Sequence, residues 1–288
     1  MHILLHVIQS ADLSIYDFLN GFAGSYFLDR AAGLMESTNF LKGGLFLAVY
    51  WYLWFRSGPD RENRRQAIIV ILIGVMLALV VARTVACAAP FRIRPVYDPA
   101  LQHHLYSWSG YMDLEHWSAF PSDTATYFSA LACGIAYLAR RATIPVVLYT
   151  AVWIFLPRMY FGIHCASDMI AGAAIGITVV WLALGTGWLR SRFAPQALAA
   201  AEAIPSVFYA AAFLVSYQMA TMFGDIREVG RELIHAARVG PHHDIVAFAL
   251  IAFTILGLVA GGAWMAYRGR RRSHSAATVR APSALPLY

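Results

Sequence analysis

Seven stretches of nearly unbroken apolar residues constrain the fold of this chain more than any other feature of its sequence. They cover residues 40–55, 67–89, 122–139, 144–160, 166–189, 205–223 and 245–267. A helix needs roughly 20 apolar residues to cross the ~30 Å hydrocarbon core of a bilayer. Only 13% of the 288 residues are charged. The sequence therefore predicts an all-α, polytopic membrane helix bundle with about six to seven transmembrane helices.

Arginines occur in every second linker between these stretches and predict the orientation of the chain. They are Arg56, Arg61, Arg64, Arg65, Arg140, Arg141, Arg190, Arg192 and the "RGRRR" run that opens the tail. By the positive-inside rule these linkers lie in the cytoplasm. Residues 90–121, 158–165 and 224–244 then lie outside, so we expect a plasma (inner) membrane protein whose polar outer loops face the periplasm or exterior. The net charge of +6 is spread over short linkers, so no nucleic-acid partner is expected; the oligomeric state is not indicated.

Four segments are predicted along the chain. Residues 1–38, whose apolar residues are interrupted by acids, are expected to form interfacial helices. Residues 39–189 form the core, and residues 190–267 add two membrane helices joined by an outer segment, which is either an amphipathic surface helix or a simple connector. Residues 268–288 form a basic tail that is expected to be disordered. Three cysteines indicate no disulfide framework, and the first residues do not resemble a cleaved signal peptide.

The stretch "PRMYFGIHCASD" places three charged or titratable residues at the outer rim of an apolar segment. His164 and Asp168 are four residues apart and would share one helical face. A carboxylate that accepts a hydrogen bond from one imidazole nitrogen leaves the other nitrogen free to act as a nucleophile or base. A turn could bring Arg158 beside them. Alternatively, Arg158 snorkels at the membrane edge and Asp168 caps a helix.

Two further outer motifs favour binding of an anion. "PFRIRP" holds Arg92 and Arg94 between prolines, and guanidinium groups suit phosphate oxygens. "FPSD" opens the next apolar stretch with Ser122 as a helix N-cap, whose neighbouring N–H groups could bind an anion. Taken singly, these motifs would also fit headgroup attraction and ordinary capping.

Together the three motifs, in this order and on one membrane side, resemble the signature of the type 2 phosphatidic acid phosphatase and haloperoxidase superfamily over roughly residues 67–186. The resemblance implies a six-helix core with its site at the outer face. It also implies that His164 attacks phosphorus and that Asp168 orients it. Arg94 and Arg158 would bind the phosphoryl oxygens, and Ser122 would contribute its hydroxyl and nearby N–H groups. No metal or other cofactor is implied, and "PHHDI" near residue 243 is interpreted as a span boundary.

Two positions depart from the family pattern. The first motif of the family has a lysine where this chain has Cys87, and either Arg83 or Arg92 could replace it; Arg83 could equally be a structural partner of a polar group. The second motif has a general-acid histidine where this chain has Thr124. A hydroxyl cannot release a proton near neutral pH, and general acid catalysis contributes about 10²–10⁴-fold.

Three interpretations of Thr124 remain open. Another group could act as the acid, with Asp123, His103, His104 and His116 as candidates. A substrate with a good leaving group would need little protonation. Finally, the chain could bind a lipid phosphate without turnover. We expect a membrane lipid phosphatase or phosphotransferase that acts on a lipid phosphate or diphosphate, such as a polyprenyl diphosphate, through a phosphohistidine. The alternative is a catalytically impaired lipid-phosphate binder.

Overall fold

The computed structural model describes residues 2–101 and 114–239, and all regular structure within these ranges is helical. The α-helices are α1 (His2–Asn20), α2 (Tyr26–Ser37), α3 (Leu45–Phe55), α4 (Arg61–Ala88), α5 (Asp123–Leu138), α6 (Thr143–Tyr149), α7 (Leu156–Tyr160), α8 (Ala166–Gly185), α9 (Trp188–Ala203), α10 (Pro205–Ala220) and α11 (Gly224–Val239). Short 3₁₀ turns occur at Pro95–Tyr97 and Arg140–Ala142. The predicted all-α fold class is confirmed for the described residues.

The chain divides into two compact units. The first comprises residues 1–199 and 219–222, and it contains all the described residues of the three motifs. The second holds the remaining described residues, 200–218 and 223–239, which belong mainly to α10 and α11. The four-segment organisation expected from the sequence stays a prediction.

The core of the first unit consists of α4, α5 and α8, which pack against one another. Gly172 and Gly176 of α8 allow α5 to approach closely: a Cβ atom added to Gly172 would lie 2.4 Å from the Ser122 carbonyl oxygen, and one added to Gly176 would lie 2.1 Å from that of Thr126. Small residues at this spacing are typical of closely packed membrane helices. The two helices therefore run in parallel and begin side by side at the same end of the bundle.

Three helical stretches are long and apolar enough to cross a membrane, namely Arg61–Ala88, Arg140–Tyr160 and Ala166–Gly185. A fourth candidate is a broken span, in which Pro205–Ala220 and Gly224–Glu232 are bent by 82° relative to each other. A shorter apolar helix covers Phe40–Phe55. The predicted span at 122–139 forms α5, which has 16 residues and is mostly buried. The predicted span at 245–267 lies outside the described residues, so the exact number of spans stays a prediction.

Helix α8, the stretch Ala166–Gly185, shows the apolar outer surface expected of a membrane helix. Ile170, Ile177 and Trp181 follow one face of α8 and are 69%, 47% and 69% exposed. Apolar exposure on this scale is unusual in a water-soluble monomer. The membrane character of the chain therefore appears in its outer surface as well as in its sequence.

The stretch Arg140–Tyr160 is not a regular α-helix. Its residues Thr150–Phe155 form a π-helical segment that ends two residues before Pro157. Pro157 has no N–H to donate to the carbonyl four residues earlier, which disfavours a continuous α-helix at this point. The short α7 that follows carries Arg158 to the end of the bundle where α5 and α8 begin.

Candidate active site

The three motif loops meet at one end of α4, α5 and α8, where backbone hydrogen bonds join them pairwise. Val96 N–H donates to the Gly162 carbonyl at 2.9 Å and links the first loop to the third. Ala119 N–H donates to the Arg92 carbonyl at 2.8 Å and links the second loop to the first. Ser122 N–H donates to the Asp168 carbonyl at 3.2 Å and links the second to the third. Segments far apart in sequence thus form one structure.

His164 lies at the centre of this structure and is only 4% exposed. Its Nε2 atom lies 3.1 Å from Nη1 of Arg94, and its Nδ1 atom lies 2.9 Å from the Ala119 carbonyl oxygen. Arginine can only donate hydrogen bonds and a carbonyl can only accept them. Nε2 is therefore the acceptor, with its lone pair facing Arg94, and Nδ1 carries the proton.

Asp168 is fully buried, but it does not form the hydrogen bond with His164 that the sequence led us to expect. Its Oδ2 atom is 3.8 Å from His164 Nδ1, which is beyond hydrogen-bonding distance. Oδ2 instead accepts the Cys165 N–H at 2.8 Å, as the third residue of a capping box at the start of α8. The Ala119 carbonyl fixes the tautomer, whereas Asp168 supplies a nearby negative charge.

The burial of His164 determines its protonation. Burial lowers the pKa of the imidazole to about 4; Arg158 and Arg94 act in the same direction, and Asp168 opposes them. His164 is therefore neutral at physiological pH. A neutral imidazole with Nε2 as acceptor is the form that can attack an electrophile.

Arg94 is 7% exposed and held rigidly beside His164. Its guanidinium donates to the Ile163 carbonyl at 3.0 Å and, more weakly, at 3.3–3.4 Å, to three other carbonyls, those of Leu114, Trp117 and Ser118. Burial lowers the pKa of Arg94 to about 10, with Arg158 contributing in the same direction. Arg94 therefore remains charged at neutral pH and places a fixed positive group next to Nε2.

Arg158 is bound to an acid from the N-terminal segment. Its Nη2 atom donates to Glu36 Oε1 of α2 at 2.8 Å, and Glu36 is 8% exposed. Lys42 also approaches this carboxylate, at 3.8 Å. The buried Nε of Arg158 and Oε2 of Glu36 have no hydrogen-bond partner among the described residues. An acid that lies outside the three motifs, Glu36, therefore positions Arg158.

Arg92 belongs to a second ionic network. Its Nη1 atom donates to Asp168 Oδ1 and its Nη2 atom to Asp12 Oδ2, both at 2.6 Å. Ser167 completes the network, because its N–H and hydroxyl donate to Asp12 at 2.9 and 2.6 Å. Two carboxylates neutralise the charge of Arg92. Its observed position therefore favours a role in positioning Asp168 over a role in binding phosphate directly.

Arg83 reaches the second motif from α4. It forms an ion pair with Asp123, the residue between Ser122 and Thr124, and its guanidinium lies 4.7 Å from the centroid of the Trp117 ring. Cys87, at the position of the family lysine, is exposed on the same helix. Of the two roles expected for Arg83, the contact with Asp123 supports that of partner to a polar group in the bundle.

The second motif is built around a helix cap. Ser122 is fully buried, and its Oγ accepts the Ala125 N–H at 3.3 Å at the start of α5. Thr124 is 5% exposed, and its hydroxyl lies 3.9 Å from the Met222 sulfur. His116 is exposed on the preceding loop, while His103 and His104 lie outside the described residues. The replacement of the family acid by another group stays a prediction.

Sequence reasoning missed the N-terminal acids as members of the site. Asp12, Asp29 and Glu36 are 3%, 1% and 8% exposed. Asp29 accepts the Tyr160 hydroxyl at 2.5 Å, so each acid binds a residue of the first or third motif region. Their only signal in the sequence was that carboxylates, which are costly to bury, interrupt a largely apolar segment, a pattern that predicted interfacial helices. The described residues contain no group of three or more metal-ligating side chains.

Comparison with known proteins agrees with these motifs. Residues 65–192 match the sequence profile of the PAP2 superfamily. This part of the chain resembles that superfamily. The match contains all three PAP2 motifs but excludes the helices that carry Asp12, Asp29 and Glu36.

Two known proteins are similar to this chain. The Escherichia coli K12 protein "Putative undecaprenyl-diphosphatase YbjG" is 24% identical over 208 residues, which cover 65% of this chain and 95% of that protein. The crystal structure of a transmembrane PAP2-type phosphatidylglycerolphosphate phosphatase from Bacillus subtilis is 17% identical, with a TM-score of 0.42, and covers 65% of this chain and 89% of its own.

Proposed function

We propose that this PAP2 protein is a membrane lipid phosphatase that transfers a phosphoryl group from a lipid phosphate or diphosphate to His164 and then to water or another acceptor. The observation that carries the proposal is the state of His164. It is neutral, its Nδ1 is fixed by a carbonyl, and its Nε2 lone pair is directed at Arg94. A nucleophile held this way beside a fixed cation suits attack on an anionic phosphorus centre.

In the proposed reaction, the phosphoryl oxygens replace Nε2 as acceptors of the Arg94 hydrogen bond. Arg158 binds a second phosphoryl oxygen. Nε2 then attacks phosphorus while the leaving oxygen departs from the opposite side, and the proton on Nδ1 stays against the Ala119 carbonyl. The negative charge of Asp168, 3.8 Å away, stabilises the positive charge that the phosphorylated imidazole acquires. Water then attacks phosphorus, the bond between phosphorus and Nε2 breaks, and phosphate leaves with both protons of the water while His164 returns to its neutral form.

The missing acid at Thr124 favours a diphosphate substrate. An alkoxide that leaves a phosphomonoester needs a proton, whereas a phosphate that leaves a diphosphate is stable without one. A polyprenyl diphosphate therefore suits this site, and the name of the Escherichia coli relative supports the same class. In the proposed topology, the site faces the periplasm or exterior of the inner membrane.

The alternative is a protein that binds a lipid phosphate without turnover. It is favoured by one observation, the hydroxyl of Thr124 in place of an acid, because nucleophile and cations suffice for binding. Saturable binding of lipid diphosphate with no release of phosphate would identify this function.

The test is phosphate release by the purified full-length chain in detergent. Lipid monophosphates and diphosphates with matched chains would be compared, with His164→Ala as the inactive reference. We expect turnover of a diphosphate and at least 10²-fold slower turnover of the matching monoester. Equal activity of the parent chain and the His164→Ala variant would exclude the proposed chemistry.

A further inference from the structure

A basic cavity of about 680 Å³ lies at the opposite end of the bundle from His164. Helix α4 begins at this cavity and ends near the first motif, whereas α5 begins at the site and ends at the cavity. At 1.5 Å per residue, α5 alone separates the two by roughly 24 Å. The cavity is therefore distinct from the candidate active site.

Four arginines from four separate segments converge on this cavity. Arg56 follows α3, Arg64 lies in the first turn of α4, Arg140 precedes α6, and Arg190 lies in α9. Asp60 is the one acid among the described residues that line it.

Within the described part of the chain, Arg56, Arg140 and Arg190 form no ion pair with a carboxylate, and the Arg64 guanidinium binds the carbonyls of Leu53 and Arg56. Basic linkers alone do not require this convergence, because Arg61, Arg65, Arg141 and Arg192 lie in the same linkers and do not line the cavity.

An apolar groove of about 500 Å³ is lined by residues close in sequence to those of the basic cavity. It runs between α3, α5 and α6, and its lining includes Tyr52, Ile135 and Ala142. Tyr52 lies one helical turn before Arg56, and Ala142 lies two residues after Arg140. The linings of the two spaces thus follow one another along α3 and along the Arg140–Ala142 turn, and we treat them together as one amphipathic site.

We propose that this amphipathic site binds an anionic phospholipid, with its phosphate among the four arginines and an acyl chain in the groove. Guanidinium groups bind phosphate oxygens in bidentate fashion. Basic pockets between membrane helices at the cytoplasmic side suit anionic headgroups. A zwitterionic lipid lacks the net charge that this cavity would neutralise. The proposal rests on the membrane-spanning position of the bundle and not on the chemistry of His164.

Lipid retention by the purified full-length chain tests this proposal. The protein would be equilibrated in detergent with equal amounts of phosphatidylglycerol and phosphatidylcholine, and the bound lipids would be counted by native mass spectrometry. We expect phosphatidylglycerol to be retained preferentially, and the preference to fall about fivefold for each cavity arginine removed. The test variant is Arg140→Gln/Arg190→Gln. The matched control, Arg141→Gln/Arg192→Gln, removes equal charge from the same linkers and should keep the preference.

Equal loss of preference in the two double variants, or no preference in the parent chain, would overturn the proposal. The single variant Arg140→Gln, at an exposed position, serves if the double variant does not fold.

Thermal unfolding in phosphatidylcholine nanodiscs separates the two sources of phosphate. Added phosphatidylglycerol should raise the unfolding temperature of the parent and control, but not of the cavity variant. Equal stabilisation by inorganic phosphate, with no added effect of phosphatidylglycerol, would overturn the assignment to a lipid.

Discussion

At the residue scale, His164 is defined by two contacts that act on different ring nitrogens. The Ala119 carbonyl holds the proton on Nδ1, and Arg94 occupies the lone pair of Nε2. Burial keeps the ring neutral. A phosphoryl group can displace Arg94 from Nε2 because its oxygens are better acceptors for a guanidinium than an imidazole nitrogen is.

The depressed pKa of His164 predicts an unusual pH dependence. An ordinary histidine, with a pKa near 6.5, would lose its nucleophilic form as the pH falls through 6. Because burial lowers the pKa of His164 to about 4, the neutral ring persists at pH 5. We therefore expect kcat/KM for a lipid diphosphate to decrease at acidic pH only near pH 4, where this ring becomes protonated. An acidic limb of kcat/KM near pH 6.5 in the parent chain that is unchanged in a His116→Ala variant would contradict this state of the ring.

Replacement of Thr124 tests the leaving-group argument. The Thr124→His variant restores a proton donor, so its activity on a lipid phosphomonoester should rise by about 10²-fold or more. Its activity on the matching diphosphate should rise far less. Steady-state rates of the two proteins on this substrate pair provide the measurement.

Equal gains of the Thr124→His variant on the two substrates would contradict the leaving-group argument. High monoesterase activity in the parent chain would show that another acid is present. Asp123 and the outer-loop histidines would then be substituted one at a time.

The sequence predicted the members of this site better than their contacts. Spacing and motif order were enough to single out His164, Arg94, Ser122 and Asp168. The Ala119 carbonyl could not be foreseen, because a backbone acceptor leaves no mark on residue type. Asp168 was expected to bind His164 on the shared helical face. Its position in the first turn of α8 instead directs one oxygen to a backbone N–H.

At the scale of elements, the N-terminal helices support the site although they lie outside the PAP2 match. Asp12 of α1 is 80 residues from Arg92 and 155 from Ser167, and Glu36 of α2 is 122 residues from Arg158. Contacts over such distances cannot be read from local periodicity. Hydropathy showed only that these carboxylates interrupt an apolar segment, so their partners required the structure.

Removal of the Asp12 carboxylate should weaken the α1–α8 contact and the site together. In Asp12→Ala, Arg92 loses one of its two acids and the Ser167 N–H loses its acceptor, which we expect to destabilise the protein by about 3 kcal/mol. Activity should fall because Asp168 loses part of its support. Thermal unfolding and phosphate release would be measured for this variant.

The matched control for this prediction is Asp17→Ala, on the same helix but exposed. It should change stability by no more than about 0.5 kcal/mol. Equal effects of the two substitutions would show that α1 contributes to the site only through its general charge.

At the scale of the whole molecule, the bundle places the two proposed sites at its opposite ends. The phosphoryl site lies where α5 and α8 begin, and the basic cavity lies at the other end of α5. Hydropathy located most of the helices because a bilayer demands apolar length. It could not show that α5 is a short, central helix, since burial by protein and burial by lipid select the same residues.

The orientation is tested by labelling single cysteines in a cysteine-free background. Glu115→Cys lies in the outer linker and Glu62→Cys at the basic end of α4, and both positions are exposed. In intact cells, a membrane-impermeant reagent should label position 115 and spare position 62. The reverse pattern would place the site of His164 in the cytoplasm.

The central claim, that His164 carries the phosphoryl group, is tested most directly by trapping the intermediate. The parent chain would be mixed with a lipid diphosphate labelled in its terminal phosphate, quenched in alkali during turnover, digested and mapped by mass spectrometry. We predict one acid-labile phosphoryl group on His164, and none in the His164→Ala variant. Turnover with the phosphoryl group on another residue, or with no covalent intermediate at all, would contradict the account.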